Sequence, residues 1–311
     1  MSTARARDHR GVLRAVGVVL TGFGAMMATC AAVGALVDAL HSTTLPAPSG
    51  LRGMVVSTVL TVGVGILLTR QGRGRKVGVV SRREATLAVA AIWLSTSAFG
   101  ALPFVLGAGM SPAASFFETA SALTTTGATA LANIEGTLSR PLLLWRAGMQ
   151  WIGGMGIVVL FVAVFPSVGA GGKHMFQGEV PGTTADALTP RIAETSFALW
   201  KIYASLTVVL LVFLVLLGMD PFEAVCHAFT TLSTGGFSTR DASIAAFQSP
   251  AIEVVIAVFM YLASLNFALF FVALRTRSLR GLLRNTELRV FVAVAVVSVL
   301  AVTLGTLHLY D

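Results

Sequence analysis

Long apolar runs with very few charges are the feature of this sequence that most restricts its fold. Each is long enough to cross about 30 Å of hydrocarbon at about 1.5 Å per residue. Apolar residues make up 55% of the 311 residues and charged ones 12%, which indicates a polytopic, all-α membrane protein. Seven membrane spans are predicted, the second at the short limit: Val12 to Leu40, Gly53 to Thr69, Ala85 to Leu106, Pro141 to Phe165, Ala193 to Leu217, Pro250 to Leu274 and Glu287 to Leu309.

The charged residues sort to the two sides of the predicted membrane. The first run follows arginines, as a secretion signal does, but it continues to Leu40 and is therefore interpreted as a span. With the amino terminus inside, 18 of the 22 Lys and Arg residues but only six of the 14 acids fall in inner segments. The net charge of +8 then indicates topology and not nucleic-acid binding. Acids on the outer side are expected to concentrate cations there, among them Glu118, Asp220, Glu223 and Asp241.

The chain repeats itself at an offset of 109 residues. `GMSP` at 109–112 aligns with `GMDP` at 218–221, `LTTTG` at 123–127 with `LSTGG` at 232–236, and Pro141 with Pro250. Several coincident positions at one offset indicate an internal duplication. Each unit is predicted to contain a span, a proline-started helix of about 11 residues, a polar turn and a second span. Helices this short cannot cross a membrane, so two re-entrant pore helices are predicted.

The polar turns after these short helices are the candidate functional site. They comprise Thr124, Thr125, Thr126, Gly127 and Ala128 in the first unit and Ser233, Thr234, Gly235, Gly236 and Phe237 in the second. Non-helical backbone at membrane depth is tolerated where it is buried in protein or lines a water-filled cavity. Glycine permits conformations that turn carbonyl oxygens towards one axis, where rings of oxygens can replace the hydration shell of an alkali cation. Ordinary extracellular turns are the alternative, which repetition at identical phase disfavours.

Other polar or small residues interrupt the apolar sequence. Arg146 either orders the outer mouth or extends to the membrane interface, and Lys201 either has a buried partner or extends to the inner interface. Glu118 and His227 occupy the same repeat position in the short helices. The first is expected to attract cations, and the second is expected to be a packed polar residue. Glycines within 153–156 are expected to permit close helix packing.

An intramembrane enzyme is the main alternative class. The five histidines form no pair at helical spacing, and neither H-E-x-x-H nor G-x-S-x-G occurs. Cys30 and Cys226 lie far apart in apolar sequence and are predicted to be small buried residues. No enzyme activity and no covalently bound cofactor are therefore expected.

Five motifs carry a resemblance to a known family: `FFETASALTTTGAT` at 116–129, `WRAGMQWIGGMGIVVL` at 145–160, `MFQGEVPG` at 175–182, `LTPRIAETSFALWKIY` at 188–203 and `HAFTTLSTGGFST` at 227–239. Through these motifs the chain resembles the Trk/Ktr/HKT superfamily of potassium-uptake proteins, and the Trk-type translocating subunit in particular. The resemblance implies a potassium-channel-like pore of four span, pore-helix, span units, with Gly127 and Gly236 as filter glycines and potassium at the ten turn residues. Some relatives have serine at the first position, so Gly127 implies a preference for potassium.

The resemblance also divides the chain into segments. These are an amino-terminal pair of spans with a basic inner loop (1–84), a first pore repeat (85–165), an inner loop (166–192), a second pore repeat (193–274), and an inner loop with the start of an incomplete third repeat (275–311). Because the family pattern has four units, we expect either a piece of a longer protein or a pore completed by another chain. A truncated or accessory half-pore subunit without transport of its own is the alternative.

Partners and location follow from the same resemblance. It implies a cytosolic, nucleotide-binding, TrkA-like regulatory subunit, and a nucleotide is expected only through that subunit. It also implies a homodimer in the bacterial cytoplasmic (inner) membrane, with the amino terminus in the cytoplasm. The glycine- and proline-rich segment Pro166 to Pro190 is the predicted docking surface for that regulator, with a plain linker as the alternative. No nucleic-acid partner is expected.

Overall fold

A computed structural model of the chain describes residues 10–41, 48–73, 82–156, 192–265, 267–276, 278 and 284–306. All regular elements in these ranges are helices, in agreement with the predicted all-α class. A short 3-10 helix, Ser243–Phe247, precedes the α-helix that begins at Pro250. The α-helices are α1 Arg10–His41, α2 Pro48–Gln71, α3 Arg82–Ala108, α4 Pro112–Leu123, α5 Ile134–Thr137, α6 Arg140–Gly154, α7 Ile192–Leu216, α8 Pro221–Leu232, α9 Pro250–Ser264, α10 Phe267–Thr276 and α11 Thr286–Thr306.

Five of the described helices are long and apolar enough to cross a membrane, namely α1, α2, α3, α7 and α11. Two predicted spans are not among these five. The first, Pro141 to Phe165, begins within α6, and its part after residue 156 lies outside the described residues. The second, Pro250 to Leu274, is not one continuous helix, because α9 ends at Ser264 and Leu265 has an extended backbone with φ −74° and ψ 150°. Residues 261–270 contain no glycine or proline, so hydropathy cannot reveal this break. The number of seven spans stays a prediction.

Helices α1 and α2 pack closely along small residues. A Cβ atom built on Gly17 would lie 2.6 Å from the carbonyl oxygen of Gly65, and one on Gly65 would lie 2.7 Å from the backbone nitrogen of Thr21. Small residues let helix backbones approach each other in this way in membrane proteins. Helix α2 has 24 residues, more than its apolar run suggested, and begins at Pro48, a residue suited to a first helical turn.

Helix α6 is anchored in the core by Trp145. The indole is fully buried, and its Nε1 donates to the carbonyl oxygen of Gly100 in α3 at 3.0 Å. Its ring lies 4.8 Å from that of Phe23 in α1. Because α1 and α3 both hold this side chain, α6 has a defined position beside the candidate site.

The two short helices α4 and α8 have 12 residues each, close to the predicted length. At about 1.5 Å per residue neither could cross a bilayer. Each starts at a proline after a capping residue, Ser111 in α4 and Asp220 in α8, whose side chains accept backbone N–H groups. These caps are 109 residues apart, so the sequence repeat extends to the way each short helix begins.

Charged residues that the sequence assigns to one side of the membrane also lie together in space. Arg140 forms an ion pair with Asp38 at 3.1 Å, and Arg240 forms one with Glu135 at 3.0 Å. With the amino terminus inside, the predicted spans place all four at outer span ends or in outer segments. The fold therefore groups them as the charge distribution predicted, while the side of the membrane that they face stays a prediction.

Candidate functional site

The two predicted turns have the same backbone conformation. Thr125 and Thr234 both have φ of +55°, and Gly127 and Gly236 have φ of +75° and +76°. Positive φ suits glycine and strains a β-branched residue such as threonine. The internal repeat is thus reproduced in individual dihedral angles, including an unfavourable one at equivalent threonines.

The ends of the short helices determine where the turn hydrogen bonds go. Backbone N–H groups of the first turn donate back into α4: Thr124 to Ala120 at 2.9 Å, Thr125 to Ala122 at 3.0 Å and Thr126 to Ser121 at 2.9 Å. The second turn repeats this pattern in α8: Ser233 to Phe229 at 3.2 Å, Thr234 to Thr231 at 3.0 Å and Gly235 to Thr230 at 3.0 Å. Within the described ranges, no donor reaches the carbonyl oxygens of 124–127 or 233–236. Both turns therefore have backbone acceptors available for a ligand.

The two turns lie directly against each other. A Cβ built on Gly127 would overlap the carbonyl oxygen of Gly235, whereas one built on Gly236 would meet no atom of the described residues within 4 Å. Glycine is thus favoured at position 127 by its positive φ and by the adjacent Gly235 carbonyl, and at position 236 by its positive φ alone. Residues that are 108 positions apart in sequence form one continuous site.

The side chains of the turn residues differ in their hydrogen bonds and in their exposure. The Thr124 hydroxyl donates to the Ala120 carbonyl at 2.7 Å and lies 2.8 Å from the Thr126 hydroxyl. Ser233 donates to Thr230 at 3.0 Å. Thr124, Thr126, Ala128, Thr234 and Gly236 are exposed, Thr125 and Gly127 are half-buried, and Ser233, Gly235 and Phe237 are buried.

Glu118 does not contribute to an acidic outer mouth, contrary to the sequence-based expectation. It is fully buried, and its Oε1 accepts from Nε of Arg146 at 2.6 Å. Thr129 Oγ1 and the backbone N–H of Ala130 also donate to this carboxylate, at 2.9 Å and 2.8 Å. Its charge is therefore neutralised inside the protein, where it holds the chain that leaves the first turn.

Arg146 orders the site and does not extend to the membrane interface. It is 2% exposed, and besides Glu118 it donates to the carbonyl oxygen of Ser238 at 2.9 Å. Its guanidinium carbon lies 3.4 Å from the centroid of the Phe237 ring. One side chain from α6 thus contacts both units, through Glu118 of α4 in the first and through Phe237 and Ser238 in the second.

His227 is the packed polar residue that was expected. It is 1% exposed; one ring nitrogen lies 2.8 Å from the Glu223 carbonyl and the other 3.1 Å from the Ser238 hydroxyl. Glu118 contacts Thr129 in the same way in the first unit. The side chains at this position of the two short helices therefore bind equivalent residues after the turns. The Glu118 carboxylate binds Thr129, and the His227 imidazole binds Ser238.

The remaining predicted acids are also engaged in structural contacts. Glu223 accepts from Nε of Arg240 at 2.6 Å, and this hydrogen bond raises the pKa of the Arg240 guanidinium. Asp241 accepts the backbone N–H of Ile134 at 2.6 Å, and Asp220 caps α8. The described residues therefore do not form an outer mouth of unpaired acids, because each of these carboxylates has a nearby donor.

Close packing by glycine is confirmed for Gly153 and Gly154 at the end of α6 but not for Gly156, where a built Cβ would meet no atom of the described residues within 4 Å. A Cβ on Gly153 would overlap the carbonyl oxygen of Leu123, and one on Gly154 would lie 2.7 Å from the Cα of Ser233. These two glycines bring α6 against the ends of both short helices. Lys201 is exposed, with its ammonium 4.5 Å from the Phe197 ring centroid.

Sequence reasoning missed Gln150 of α6. Its side chain is fully buried, and its Oε1 accepts the backbone N–H of Phe237 at 3.2 Å. The available signal was an amide in the middle of an apolar run. Cys30 and Cys226 are buried with free thiols, and the described residues contain no group of three or more His, Cys, Asp or Glu that could hold a metal ion.

Fold and site together define a class of protein. Membrane-length helices flank two short helices, each of which ends in a glycine turn, and the two turns meet. This is a multi-pass helical membrane protein built from tandem loop-containing units.

The chain belongs to the family described as TrkH: Cation transport protein, whose model matches residues 59–311. It is similar to the Trk system potassium uptake protein TrkH of Halomonas elongata, at 40% identity over 283 residues, covering 90% of this chain and 56% of that protein. The protein of the same name from Escherichia coli K12 is 40% identical over 256 residues, covering 81% of this chain and 53% of that one.

A solved structure agrees with this assignment. The crystal structure of the potassium transporter TrkH from Vibrio parahaemolyticus matches with a TM-score of 0.77 and 35% identity, covering 96% of this chain and 59% of that chain. The chain spans about half the length of the curated relatives it matches.

Proposed function

We propose that this chain takes part in potassium uptake across a membrane, and that residues 124–128 and 233–237 form part of the selectivity filter. The observation that carries the proposal is the shared backbone of two adjacent turns, each with a left-handed glycine and carbonyl oxygens that no described donor uses. The relatives are named potassium uptake proteins, which favours transport over an accessory role.

The chemistry of the turns suits a dehydrated monovalent cation. Several of the turn residues are exposed, and the carbonyl oxygens that no described donor uses are available to a cation. Carbonyl oxygens can replace the hydration shell of potassium. Helices α4 and α8 end at Leu123 and Leu232, immediately before the turns, and the negative ends of helices favour a cation nearby.

Two turns supply only part of such a cage. The family resemblance implies four turns around one axis, so the remaining oxygens would come from further units of the same pore. Several turn residues are exposed in the described structure, as expected of a surface that faces additional units.

We further propose the location and partners that the resemblance implies. The amino terminus would lie in the cytoplasm of a bacterium, with the protein in its cytoplasmic membrane, because basic residues are concentrated in the inner segments. The relatives belong to a named Trk system, which supports a cytosolic nucleotide-binding regulatory subunit, and we propose a homodimer. The predicted docking segment, residues 166–190, lies outside the described residues.

Substitution of the two glycines tests the filter. Gly127→Ser and Gly236→Ser, made in the complete transporter in cells without potassium uptake of their own, should lower the ratio of potassium to sodium uptake. We expect about a tenfold loss, since a side chain at this φ costs about 1–3 kcal/mol. Gly127→Ser should have the larger effect, because only its side chain would also overlap the Gly235 carbonyl.

Gly22→Ser is the matched control, since a Cβ on Gly22 in α1 would meet no atom within 4 Å in the part of the chain that the structure describes. It should leave the uptake ratio unchanged. If both filter variants reach the membrane in normal amounts and keep the original ratio, the turns do not form the filter.

A further inference from the structure

Gln150 has a buried side chain that the proposed ion site does not itself use. Its Oε1 accepts the backbone N–H of Phe237 at 3.2 Å, while its Nε2 has no hydrogen-bond partner in the part of the chain that the structure describes. A buried donor without a partner destabilises a protein. An apolar residue would pack there without this cost, so the amide calls for a reason other than stability.

The orientation of the amide follows from its surroundings. Oε1 must face the N–H of Phe237, because the amide NH2 group would present a donor to a donor. Nε2 then faces the other way and lies 3.9 Å from where a Cβ of Gly127 would be. The Gln150 amide therefore contacts the second turn and lies beside the glycine of the first.

The same amide explains why residue 235 is glycine. A Cβ on Gly235 would lie 2.6 Å from both Nε2 and Oε1 of Gln150. Gly235 is not among the glycines with positive φ, so its backbone does not require glycine. The space that a side chain would need is instead occupied by Gln150.

This contact joins Gln150 of the first unit to Gly235 of the second, and neither residue is repeated at the equivalent position of the other unit. At the offset of 109 residues, Gly235 corresponds to Thr126, and Gln150 corresponds to Phe259. The first turn thus carries a side chain at the position where the second has glycine. The helices that follow the turns differ as well, since residue 150 of α6 is Gln and the equivalent residue 259 of α9 is Phe.

We propose that Gln150 is a positioning residue for ion selectivity, whose side-chain amide holds the second turn through Phe237 and sets its spacing from the first turn. This inference rests on the proposed function of the turns as a filter. Selectivity depends on the number and field strength of the coordinating carbonyls. Without the amide, the backbone at 235–237 gains freedom, and discrimination falls while the overall fold remains.

Gln150→Met removes both polar atoms and nearly preserves side-chain length. In proteoliposomes containing the complete transporter, it should lower the ratio of potassium to sodium flux about three- to tenfold, the factor expected from one lost hydrogen bond. Ser57→Ala is the matched control. Ser57 is also fully buried, but its hydroxyl donates only within α2, to Gly53 at 2.7 Å, and the flux ratio should not change.

A double-mutant cycle tests the coupling directly. Gly235→Ala must displace the Gln150 amide and should lower the flux ratio by a similar factor. Gln150→Ala leaves space for the new methyl group, so the pair Gln150→Ala with Gly235→Ala should lose no more selectivity than the worse single variant. Losses that multiply would overturn the coupling.

Gly127→Ser, measured in parallel, separates this inference from the proposed function. An unchanged ratio in Gln150→Met beside a lowered ratio in Gly127→Ser refutes the role of Gln150 and leaves the filter in place. Unchanged ratios in both refute the filter, and the inference with it. If Gln150→Met does not reach the membrane, Gly235→Ala decides, because it displaces the amide without removing it; an unchanged ratio then refutes the inference.

Discussion

Removing the buried arginine at the candidate site should destabilise the protein far more than removing a partly exposed arginine from the same helix. Arg146→Met eliminates the 2.6 Å contact with Glu118, the 2.9 Å hydrogen bond to Ser238 and the stacking on Phe237. Glu118 would keep its donors from Thr129 and Ala130 but would be a buried charge without a counter-ion. Breaking a buried pair in this way costs about 3–5 kcal/mol.

Arg140→Met provides the matched control, because the ion pair of Arg140 with Asp38 is 20% and 33% exposed at its two side chains. Partly exposed pairs contribute at most about 1 kcal/mol. For an unfolding unit of this length, about 1.5 °C corresponds to 1 kcal/mol, so thermal unfolding in detergent should shift by about 5–8 °C for Arg146→Met and by less than about 2 °C for Arg140→Met.

A second variant tests the electrostatic reason for this cost. Glu118→Gln combined with Arg146→Met removes both charges and should be more stable than Arg146→Met alone, because no unpaired charge stays buried. Equal melting temperatures for Arg146→Met and Arg140→Met would refute the argument. So would a double variant less stable than Arg146→Met.

Three further measurements test topology, partner and filter. Cysteine at position 140 should react with an impermeant thiol reagent in intact cells and cysteine at 280 should not; labelling at 280 would reverse the topology. Deletion of residues 169–178 should weaken copurification with a soluble nucleotide-binding ring, and unchanged copurification would exclude this segment from docking. Thr125→Val and Thr234→Val should change selectivity less than the glycine substitutions, because valine keeps the shape and the backbone conformation; a larger change would make the hydroxyls the main ligands.

The backbone of the candidate site is predictable because it depends on local sequence. Pro112 and Pro221 mark helix starts, and a glycine about 15 residues later marks each turn. Duplication of both signals at one offset is enough to predict that the two turns are equivalent. The structure adds the positive φ at Thr125 and Thr234, which residue type alone would not suggest.

Side-chain partners are less predictable because they are distant in sequence. Glu118 and Arg146 are 28 residues apart, and Arg146 and Ser238 are 92 apart. A carboxylate beside a predicted outer turn is therefore interpreted from sequence as a cation attractor, although the fold supplies it with a counter-ion. Sequence leaves two roles open for Arg146, and packing of α6 between α1, α3 and both short helices decides between them.

The two units are alike in backbone but not in the helices that follow their turns. Arg146 and Gln150 are four residues apart, hence on one face of α6, and both contact residues of the second turn and its continuation. The equivalent residues of α9 are Val255 and Phe259, which cannot form these hydrogen bonds. Of these two pairs of equivalent positions, only the pair on α6 therefore forms polar contacts with the other unit, in addition to the contacts that Ile134 and Glu135 make with Asp241 and Arg240. Substitutions on this face should alter the relation between the turns, and hence selectivity, more than matching substitutions in α9.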